Sequence, residues 1–272
     1  MTIKLIASDI DGTFLDDQHE FDRHRFQEQL NEMNQRGIHF VVSSGNQYQH
    51  CIKVMAGIEG DLTYVIEDGG LVVENGRVLD SSPIEPELWQ SVVDSMARKP
   101  VLANGVIVLS GQKGAYTNVT QQTETWGRTQ YFYEMLQHKA PLTEVNDQIY
   151  KVDVNWPGIA DVRDKHAELV AEFGDQLAEV MSGYSGIDII KPHVTKAYGL
   201  EQLQRIWNVS MTETMAFGDN QNDAAMLQNA KYGYAMKNAA PEAKAVTSLI
   251  TPLDNNHSGV LDMIDKVLED RI

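Results

Sequence analysis

Aspartate residues follow two apolar segments of the chain, one near its beginning and one near its end. Asp9 and Asp11 come directly after residues 3–8, and Asp219 follows residues 214–217. An aspartate is ionised at neutral pH, because its reference pKa is roughly 3.9, so it can serve as a nucleophile or as an oxygen ligand of Mg²⁺. These residue types favour phosphoryl transfer, in which a divalent cation offsets the repulsion between a carboxylate and a phosphate ester.

The two neighbouring aspartates at the beginning of the chain suit different steps of that chemistry. We expect Asp9 to be the nucleophile and, with Asp219, a carboxylate ligand of Mg²⁺, with a backbone carbonyl as a third oxygen. Asp11 can protonate the leaving oxygen and later activate water. Ser44, together with a lysine, can bind the oxygens of the transferring phosphoryl group. Either aspartate segment taken alone is also typical of an ordinary turn.

These side chains can meet only if the elements that carry them end at one edge of a sheet. Residues 3–8, 38–43 and 214–217 are apolar and indicate buried strands, which end in Asp9, in Ser43-Ser44-Gly45 and in Gly218-Asp219. In open α/β sheets, ligands bind beyond the carboxyl ends of the strands. The sequence therefore predicts one site built from segments that are far apart along the chain.

The alternation of strands and helices predicts the fold class. Strand, helix, strand and helix follow one another at the beginning of the chain, and the same rhythm returns after Pro192, which indicates right-handed βαβ units. We expect a doubly wound, parallel-sheet, Rossmann-like α/β core from residues 1–82 and 189–272. Residues 83–188 are less regular, and we expect them to form an inserted α+β cap that selects the substrate.

Two further predictions concern side-chain burial. The helix expected over 197–207 is predicted to turn three apolar side chains inward: Leu200, Leu203 and Ile206. The aromatic side chains of the cap are predicted to belong to its core rather than to clamp a substrate: Trp126, Tyr131, Phe132, Tyr133 and Trp156.

Composition limits the possible partners. The net charge of −17 argues against nucleic acid, because phosphate backbones require clustered lysine and arginine. The apolar runs are too short to span a membrane, and no apolar signal segment is recognisable before Asp9. The single cysteine, Cys51, allows no internal disulfide. We expect a cytoplasmic protein that acts on a small phosphorylated metabolite, and the sequence does not indicate an oligomeric state.

Four segments together resemble a known family. In chain order they are Asp9-Ile10-Asp11-Gly12-Thr13, Ser43-Ser44-Gly45, Lys196 within His193-Val194-Thr195-Lys196-Ala197, and Gly218-Asp219-Asn220-Gln221-Asn222-Asp223. The chain resembles the haloacid dehalogenase superfamily of phosphatases and is similar to its Cof-type branch, which includes bacterial sugar phosphatases. The resemblance covers nearly the whole chain and implies an inserted α+β cap.

The resemblance implies a role for each matching residue. It implies that Asp9 is the nucleophile, that Asp11 is the general acid/base, and that Mg²⁺ is held by Asp9, Asp219 and the backbone carbonyl of Asp11. It assigns phosphate binding to Ser44, Gly45, Lys196 and Asn222. It also implies that Thr13 orients Asp11 and that Asp223 supports the metal site.

The chain departs from the family pattern after two of its strands. Asn46-Gln47 stands where many relatives have arginine after the Ser/Thr-Gly pair, and Asp68-Gly69 stands where they often have Asn-Gly. Neither departure removes a catalytic group, but both weaken any inference about the substrate. We expect hydrolysis of phosphomonoesters, with sugar phosphates the expected substrates. A phosphotransferase or phosphomutase would need the same residues, and a non-enzymatic phosphosugar-binding protein is a further alternative.

Overall fold

The computed structural model describes residues 3–182 and 186–272. Its strands, labelled β1 to β14 in chain order, are Leu5–Ser8, His39–Ser43, Leu62–Ile66, Leu71–Glu74, Arg77–Ser81, Val106–Gly111, Ala115–Thr117, Leu136–His138, Ile149–Asn155, Ala178–Ser182, Gly186–Ile190, Thr214–Gly218, Tyr232–Ala235 and Leu249–Ile250. Its α-helices, labelled α1 to α9, are Arg23–Gln35, Tyr48–Val54, Pro86–Arg98, Glu124–Phe132, Arg163–Phe173, Lys196–Trp207, Ala224–Gln228, Pro241–Ala245 and Gly259–Leu268.

The described residues form two compact units. The first contains residues up to 45, 54–81 and 195–272, and the second contains 46–53 and 82–194. Helix α2 belongs largely to the second unit, where Lys53 Nζ lies 2.8 Å from a carboxylate oxygen of Glu134. The division into a core of 1–82 and 189–272 and a cap of 83–188 remains a prediction about folding domains.

The first unit is built on one sheet with the strand order β14-β13-β12-β1-β2-β3-β4-β5. The neighbours from β14 to β3 are parallel, and β4 and β5 are added antiparallel at one edge. The chain runs outward from β1 through β2 and β3, and later returns to the other side of β1 as β12. The expected doubly wound α/β core is thereby confirmed, and β1 lies at the point where the strand order reverses, which is where such folds bind ligands.

Short-range signals set the helices of this unit. Helix α1 buries Phe26, Leu30 and Met33, and the Asp22 side chain caps it by accepting a hydrogen bond from the Arg25 backbone N–H. Helix α6 begins at Lys196 and is capped by Thr195, whose hydroxyl accepts a hydrogen bond from the Tyr198 backbone N–H. The residue after the helix, Asn208, adopts the left-handed conformation and ends it.

One burial prediction for α6 is wrong. Leu200 and Leu203 are fully buried as expected, but Ile206 is 50% exposed. The helix turns about 100° per residue, so Ile206 lies about 60° around the axis from Leu203 and about 120° from Leu200. Its side chain is therefore directed away from the middle of the buried face.

The second unit contains a sheet with the order β10-β11-β9-β6-β7-β8, in which β7 and β8 are parallel and the other neighbours antiparallel. Side chains alternate between its faces. One face carries Ile107, Leu109, Val152 and Val154 into a buried cluster with Trp89 of α3 and Leu169 and Phe173 of α5. The opposite face carries Val106, Val108, Asp153 and Asn155.

None of the helices within 3–182 and 186–272 combines the length and the apolar character needed to cross a bilayer.

Candidate active site

The segments predicted to carry chemistry follow three adjacent strands of the first unit. Strand β1 lies between β2 and β12, with Ser8 level with Val42 on one side and with Phe217 on the other. The residues that follow these strands therefore emerge side by side. The parallel register of these three strands therefore brings together segments that are far apart along the chain, as the sequence predicted.

A buried lysine joins two of the predicted carboxylates. The Lys196 ammonium donates to Asp9 Oδ1 at 2.5 Å and to Asp223 Oδ1 at 2.6 Å. The side chain of Lys196 is 1% exposed and that of Asp223 is fully buried. Buried charges are tolerated when they are paired and hydrogen-bonded, so these three groups stabilise one another and fix the orientation of the Asp9 carboxylate.

Burial and charge act in opposite directions on this network. Removal from water raises the pKa of Asp9 well above its ordinary value; the Lys196 charge opposes this rise, and the carboxylates of Asp223 and Asp219 add to it. Burial alone would lower the pKa of Lys196, but the charges of Asp223, Asp9 and Asp68 outweigh it and raise that pKa. The lysine is therefore held in its charged form.

Asp219 lies at the edge of this network and is partly exposed. Its Oδ1 accepts a hydrogen bond from the Thr13 hydroxyl at 2.7 Å. Burial raises the pKa of Asp219, the Thr13 hydrogen bond lowers it, and the charge of Asp223 raises it. The resemblance implies that Thr13 orients Asp11. In this structure, however, Thr13 contacts Asp219, a predicted ligand of Mg²⁺.

The turn after β1 approaches Asp219 very closely. Gly12 has a φ of +76°, and a Cβ atom at this position would lie 2.7 Å from Asp219 Oδ2. The backbone carbonyl of Gly12 accepts a hydrogen bond from Asn238 Nδ2 at 2.7 Å. Glycine adopts this conformation without strain, and because it has no Cβ atom it leaves the necessary space. The Asp-x-Asp-Gly-Thr spacing thus places a residue without a side chain, Gly12, against the carboxylate of Asp219.

Asp11 lies on the outer side of the same turn. Its side chain is 47% exposed, and its Oδ1 is 3.6 Å from His19 Nδ1. A group that exchanges protons with substrate and with water must be reachable by both, and the exposure of Asp11 meets that requirement.

The segment after β2 meets an aspartate that follows β3. Ser44 is buried, its backbone N–H donates to the Val65 carbonyl at 2.8 Å, and its own carbonyl accepts from the Asp68 N–H at 3.2 Å. A Cβ atom on Gly45 would lie 3.0 Å from both carboxylate oxygens of Asp68. Asn222 Nδ2 donates to Asp68 Oδ1 at 3.2 Å. Ser44, Gly45 and Asn222, which were predicted to bind phosphate, are therefore linked through Asp68.

Three carboxylates are close enough to surround a cation. Oxygen atoms of Asp9, Asp219 and Asp223 lie within 4.8 Å of one another. Both oxygens of Asp223 already accept hydrogen bonds, Oδ1 from Lys196 and Oδ2 from the backbone N–H groups of Asp219 and Asn220. Asp9 and Asp219 are therefore better suited as ligands, and Asp223 holds the backbone of the Asp219 loop in place.

Sequence reasoning did not assign a site role to three residues that the structure places here: His19, Asp68 and Asn238. Asp68 could have been found by the rule that found the others, because it follows the predicted strand that ends at Ile66. Asn238 comes shortly after β13 in the same way, but its hydrogen bond to Gly12 depends on tertiary structure.

Comparison with known proteins decides the family. A family model described as haloacid dehalogenase-like hydrolase matches residues 6–264. The chain belongs to the haloacid dehalogenase-like hydrolases. The resemblance seen in the sequence is thereby confirmed, and the curated relatives of this hydrolase include proteins named as phosphatases. The chain is a phosphatase of this family.

Two relatives match this hydrolase over almost their full length. It is 35% identical over 271 residues, 99% of this chain and 97% of the relative, to "5-amino-6-(5-phospho-D-ribitylamino)uracil phosphatase YbjI" of Escherichia coli strain K12. It is also similar to the crystal structure of SMU.1108c from Streptococcus mutans UA159, with 30% identity, a TM-score of 0.86 and coverage of 98% of this chain and 100% of that one. TM0651 from Thermotoga maritima, at 21% identity and a TM-score of 0.82, covers 97% of both chains and shares the fold.

Proposed function

We propose that this phosphatase hydrolyses monoesters of small phosphorylated metabolites through a phosphoenzyme intermediate on Asp9, in a reaction that requires Mg²⁺. The observation that carries the proposal is the buried network in which Lys196 donates to Asp9 and Asp223, with Asp219 beside them. Such a network holds one carboxylate oxygen in a fixed position beside a compensating positive charge. That is the requirement for a carboxylate nucleophile.

The chemistry of the donor set fits Mg²⁺. Asp9 and Asp219 provide hard carboxylate oxygens, and burial and the charge of Asp223 raise the pKa of both groups, so a cation between them would offset the negative charge gathered there. We propose Asp9, Asp219 and the backbone carbonyl of Asp11 as the ligands. When bound, Mg²⁺ would neutralise the negative charge that nucleophile and phosphate oxygens bring together.

The residues of this chain divide the reaction into two steps. In the first, an Asp9 oxygen attacks phosphorus, the bond from phosphorus to the ester oxygen breaks, and the Asp11 carboxyl group gives that oxygen a proton. In the second, the Asp11 carboxylate takes a proton from water, the water oxygen attacks phosphorus, and the acyl phosphate bond to Asp9 breaks. Inorganic phosphate leaves, and both aspartates return to their starting forms.

Four groups are proposed to bind the phosphoryl oxygens: the Ser44 hydroxyl, the Gly45 backbone N–H, the Lys196 ammonium and the Asn222 amide. Lys196 is already charged and aimed at Asp9, so it can stabilise negative charge near the nucleophile without rearrangement. Asp68 accepts a hydrogen bond from Asn222 and therefore orients the amide that phosphate would meet. The negative charge of Asp68 also weakens the attraction of the groups around Asn222 for anions.

The substrate is proposed to be a phosphorylated polyol or sugar. Identity of 35% over nearly all of both chains to a phosphatase of 5-amino-6-(5-phospho-D-ribitylamino)uracil supports this class and makes that compound the first to test. The net charge of −17 supports a small molecule rather than a nucleic acid as partner. We also propose that the protein is cytoplasmic and that residues 83–188 act as the substrate-selecting cap.

A phosphate-release screen tests the proposal. The purified protein is assayed with Mg²⁺ against a panel of sugar phosphates, polyol phosphates, nucleotides and the phosphoribityl compound, with Asp9→Asn as the inactive control. We expect the highest kcat/KM on a polyol or sugar phosphate and no release by Asp9→Asn. Release by Asp9→Asn at the normal rate would refute the assignment of Asp9, and transfer of phosphate to an added sugar instead of water would identify a phosphotransferase.

A further inference from the structure

The loop that follows β13, residues 236–240, is joined at both ends to the segment that carries Asp219. The Met236 backbone N–H donates to the Gly218 carbonyl at 2.9 Å, and the Ala240 backbone N–H donates to the Asp219 carbonyl at 2.8 Å. Strands β12 and β13 are parallel neighbours, so the loop and the Asp219 segment emerge from the same edge of the sheet. The position of the loop is therefore tied to that of Asp219.

The side chain in the middle of this loop, Asn238, reaches the turn after β1. Its Nδ2 donates to the Gly12 carbonyl at 2.7 Å, and its Oδ1 accepts from the Asn255 backbone N–H at 3.2 Å. Asn238 is exposed, and ordering a side chain at the surface costs conformational entropy, which these two hydrogen bonds offset. One carboxamide thus joins three segments that are far apart along the chain.

The Gly12 carbonyl is the point at which this contact can fix the direction of the turn. Gly12 has a φ of +76° and a ψ of −1°, and a residue without Cβ rotates more freely about its backbone bonds than any other. The peptide group before Gly12 carries the Asp11 carbonyl, which is proposed as a ligand of Mg²⁺. A hydrogen bond on the Gly12 carbonyl restrains rotation about Gly12 and, with it, the direction of the Asp11 carbonyl.

A second asparagine supports the same turn at its far end. Asn255 is 4% exposed, and its Nδ2 donates to the Leu15 carbonyl at 3.1 Å and to Asp17 Oδ1 at 3.0 Å. Because the Asn255 backbone N–H also donates to Asn238, the two asparagines belong to one connected set of hydrogen bonds. Such a connected set holds a backbone segment more firmly than separate bonds would.

We infer that Asn238 is a positioning residue that sets the spacing between the Asp11 carbonyl and the Asp219 carboxylate, and thereby the affinity of the site for a divalent cation. The inference rests on the metal site of the proposed function. Mg²⁺ demands near-ideal geometry from its oxygen ligands, so ligands on separate segments must be held at a fixed distance from one another. Asn238 holds one of these segments through its side chain and the other through the loop to which it belongs.

Electron paramagnetic resonance with Mn²⁺ as the probe measures this affinity without the phosphatase reaction. Mn²⁺ prefers the same oxygen ligands as Mg²⁺, and the signal of the free ion decreases as the protein binds it. Asn238→Ala removes both side-chain hydrogen bonds and no proposed ligand. We expect its tightest Mn²⁺ site to bind about threefold to tenfold more weakly than that of the wild type, which is the factor that one neutral hydrogen bond contributes. Asn238→Leu, which keeps the side-chain volume, should show the same loss.

Asn256→Ala is the matched control. Asn256 is also exposed, and it also makes one hydrogen bond as a donor and one as an acceptor, both with Asp17 and both at 3.0 Å. Its side chain does not contact the Gly12 carbonyl, so its loss should leave Mn²⁺ affinity unchanged. Thermal unfolding of the metal-free proteins should show similar small decreases for Asn238→Ala and Asn256→Ala, because each variant loses the same number of hydrogen bonds.

Asp219→Asn separates this inference from the proposed function. If Asp219→Asn binds Mn²⁺ as tightly as the wild type does, the proposed metal site is wrong and the inference is wrong with it. If Asp219→Asn weakens binding but Asn238→Ala does not, the metal site stands and the inference is overturned. Equal weakening by Asn256→Ala and Asn238→Ala would also overturn it, because the effect would then be a general loss of structure.

Discussion

Replacing Asp223 by asparagine tests how the buried network is held together. Asp223 accepts three hydrogen bonds, from Lys196 through Oδ1 and from the backbone N–H groups of Asp219 and Asn220 through Oδ2. An asparagine side chain has one acceptor oxygen and one donor group, so it cannot serve both sets of donors. Either the lysine or the backbone of the Asp219 loop would face an N–H group.

The size of the effect follows from burial. Loss of a hydrogen bond to a charged group costs about 1.5–3 kcal/mol, and breaking a buried ion pair costs about 3–5 kcal/mol. Lys196 keeps its contact with Asp9, so we expect Asp223→Asn to lower the free energy of unfolding by about 2–4 kcal/mol. Activity should fall about 10–100-fold, as is typical for residues that orient metal ligands.

Urea unfolding monitored by circular dichroism measures the change in stability, and initial rates of phosphate release measure the change in activity. Asp262→Asn is the matched control, because Asp262 also pairs with a lysine, Lys266, but both side chains are more than one-fifth exposed. That variant should lose no more than about 0.5 kcal/mol. If Asp223→Asn and Asp262→Asn unfold at the same urea concentration as the wild type, the network does not stabilise the fold as argued.

Three other changes probe the same site. Gly12→Ala should reduce activity strongly, since its Cβ would lie 2.7 Å from Asp219 Oδ2 in a left-handed backbone; an active variant in steady-state assays would contradict this. Asp68→Asn removes a negative charge beside Asn222 and should lower the inhibition constant of inorganic phosphate, and an unchanged constant would show that Asp68 does not act on bound anions. Chelation with EDTA should abolish phosphate release, and added Mg²⁺ should restore it. Ca²⁺ should inhibit phosphate release, because its coordination geometry is looser than that of Mg²⁺. Full activity after exhaustive chelation would refute the proposed metal site.

Much of the first unit could be predicted because its signals are local. Strands such as Leu5–Ser8 are short and entirely buried, which produces continuous apolar runs, and Thr195 caps α6 as its residue type indicates. The convergence of Asp9, Ser44 and Asp219 followed from a general property of parallel sheets, since ligands bind at the carboxyl ends of their strands.

The features that could not be predicted depend on contacts between distant segments. The hydrogen bond from Thr13 to Asp219 spans 206 residues, and the one from Asn238 to Gly12 spans 226. The exposure of Tyr131 and Phe132 was likewise hidden, because an aromatic residue in a short helix reads as core unless the partner surface is known. Side-chain type indicates what a residue can do, whereas its partners decide what it does.

Intact-protein mass spectrometry of Asp11→Asn tests the role of Asp9 most directly. The variant keeps the nucleophile but lacks the group that activates water, so with Mg²⁺ and an activated phosphate ester the first step should proceed slowly and the second should stall. General acid/base groups contribute about 10²–10⁴-fold, which is enough for the intermediate to accumulate. We expect one added phosphoryl group, located on the peptide that contains Asp9, and none on Asp9→Asn. A phosphoryl group on a serine or histidine, or an adduct on Asp9→Asn but not on Asp11→Asn, would contradict the proposed mechanism.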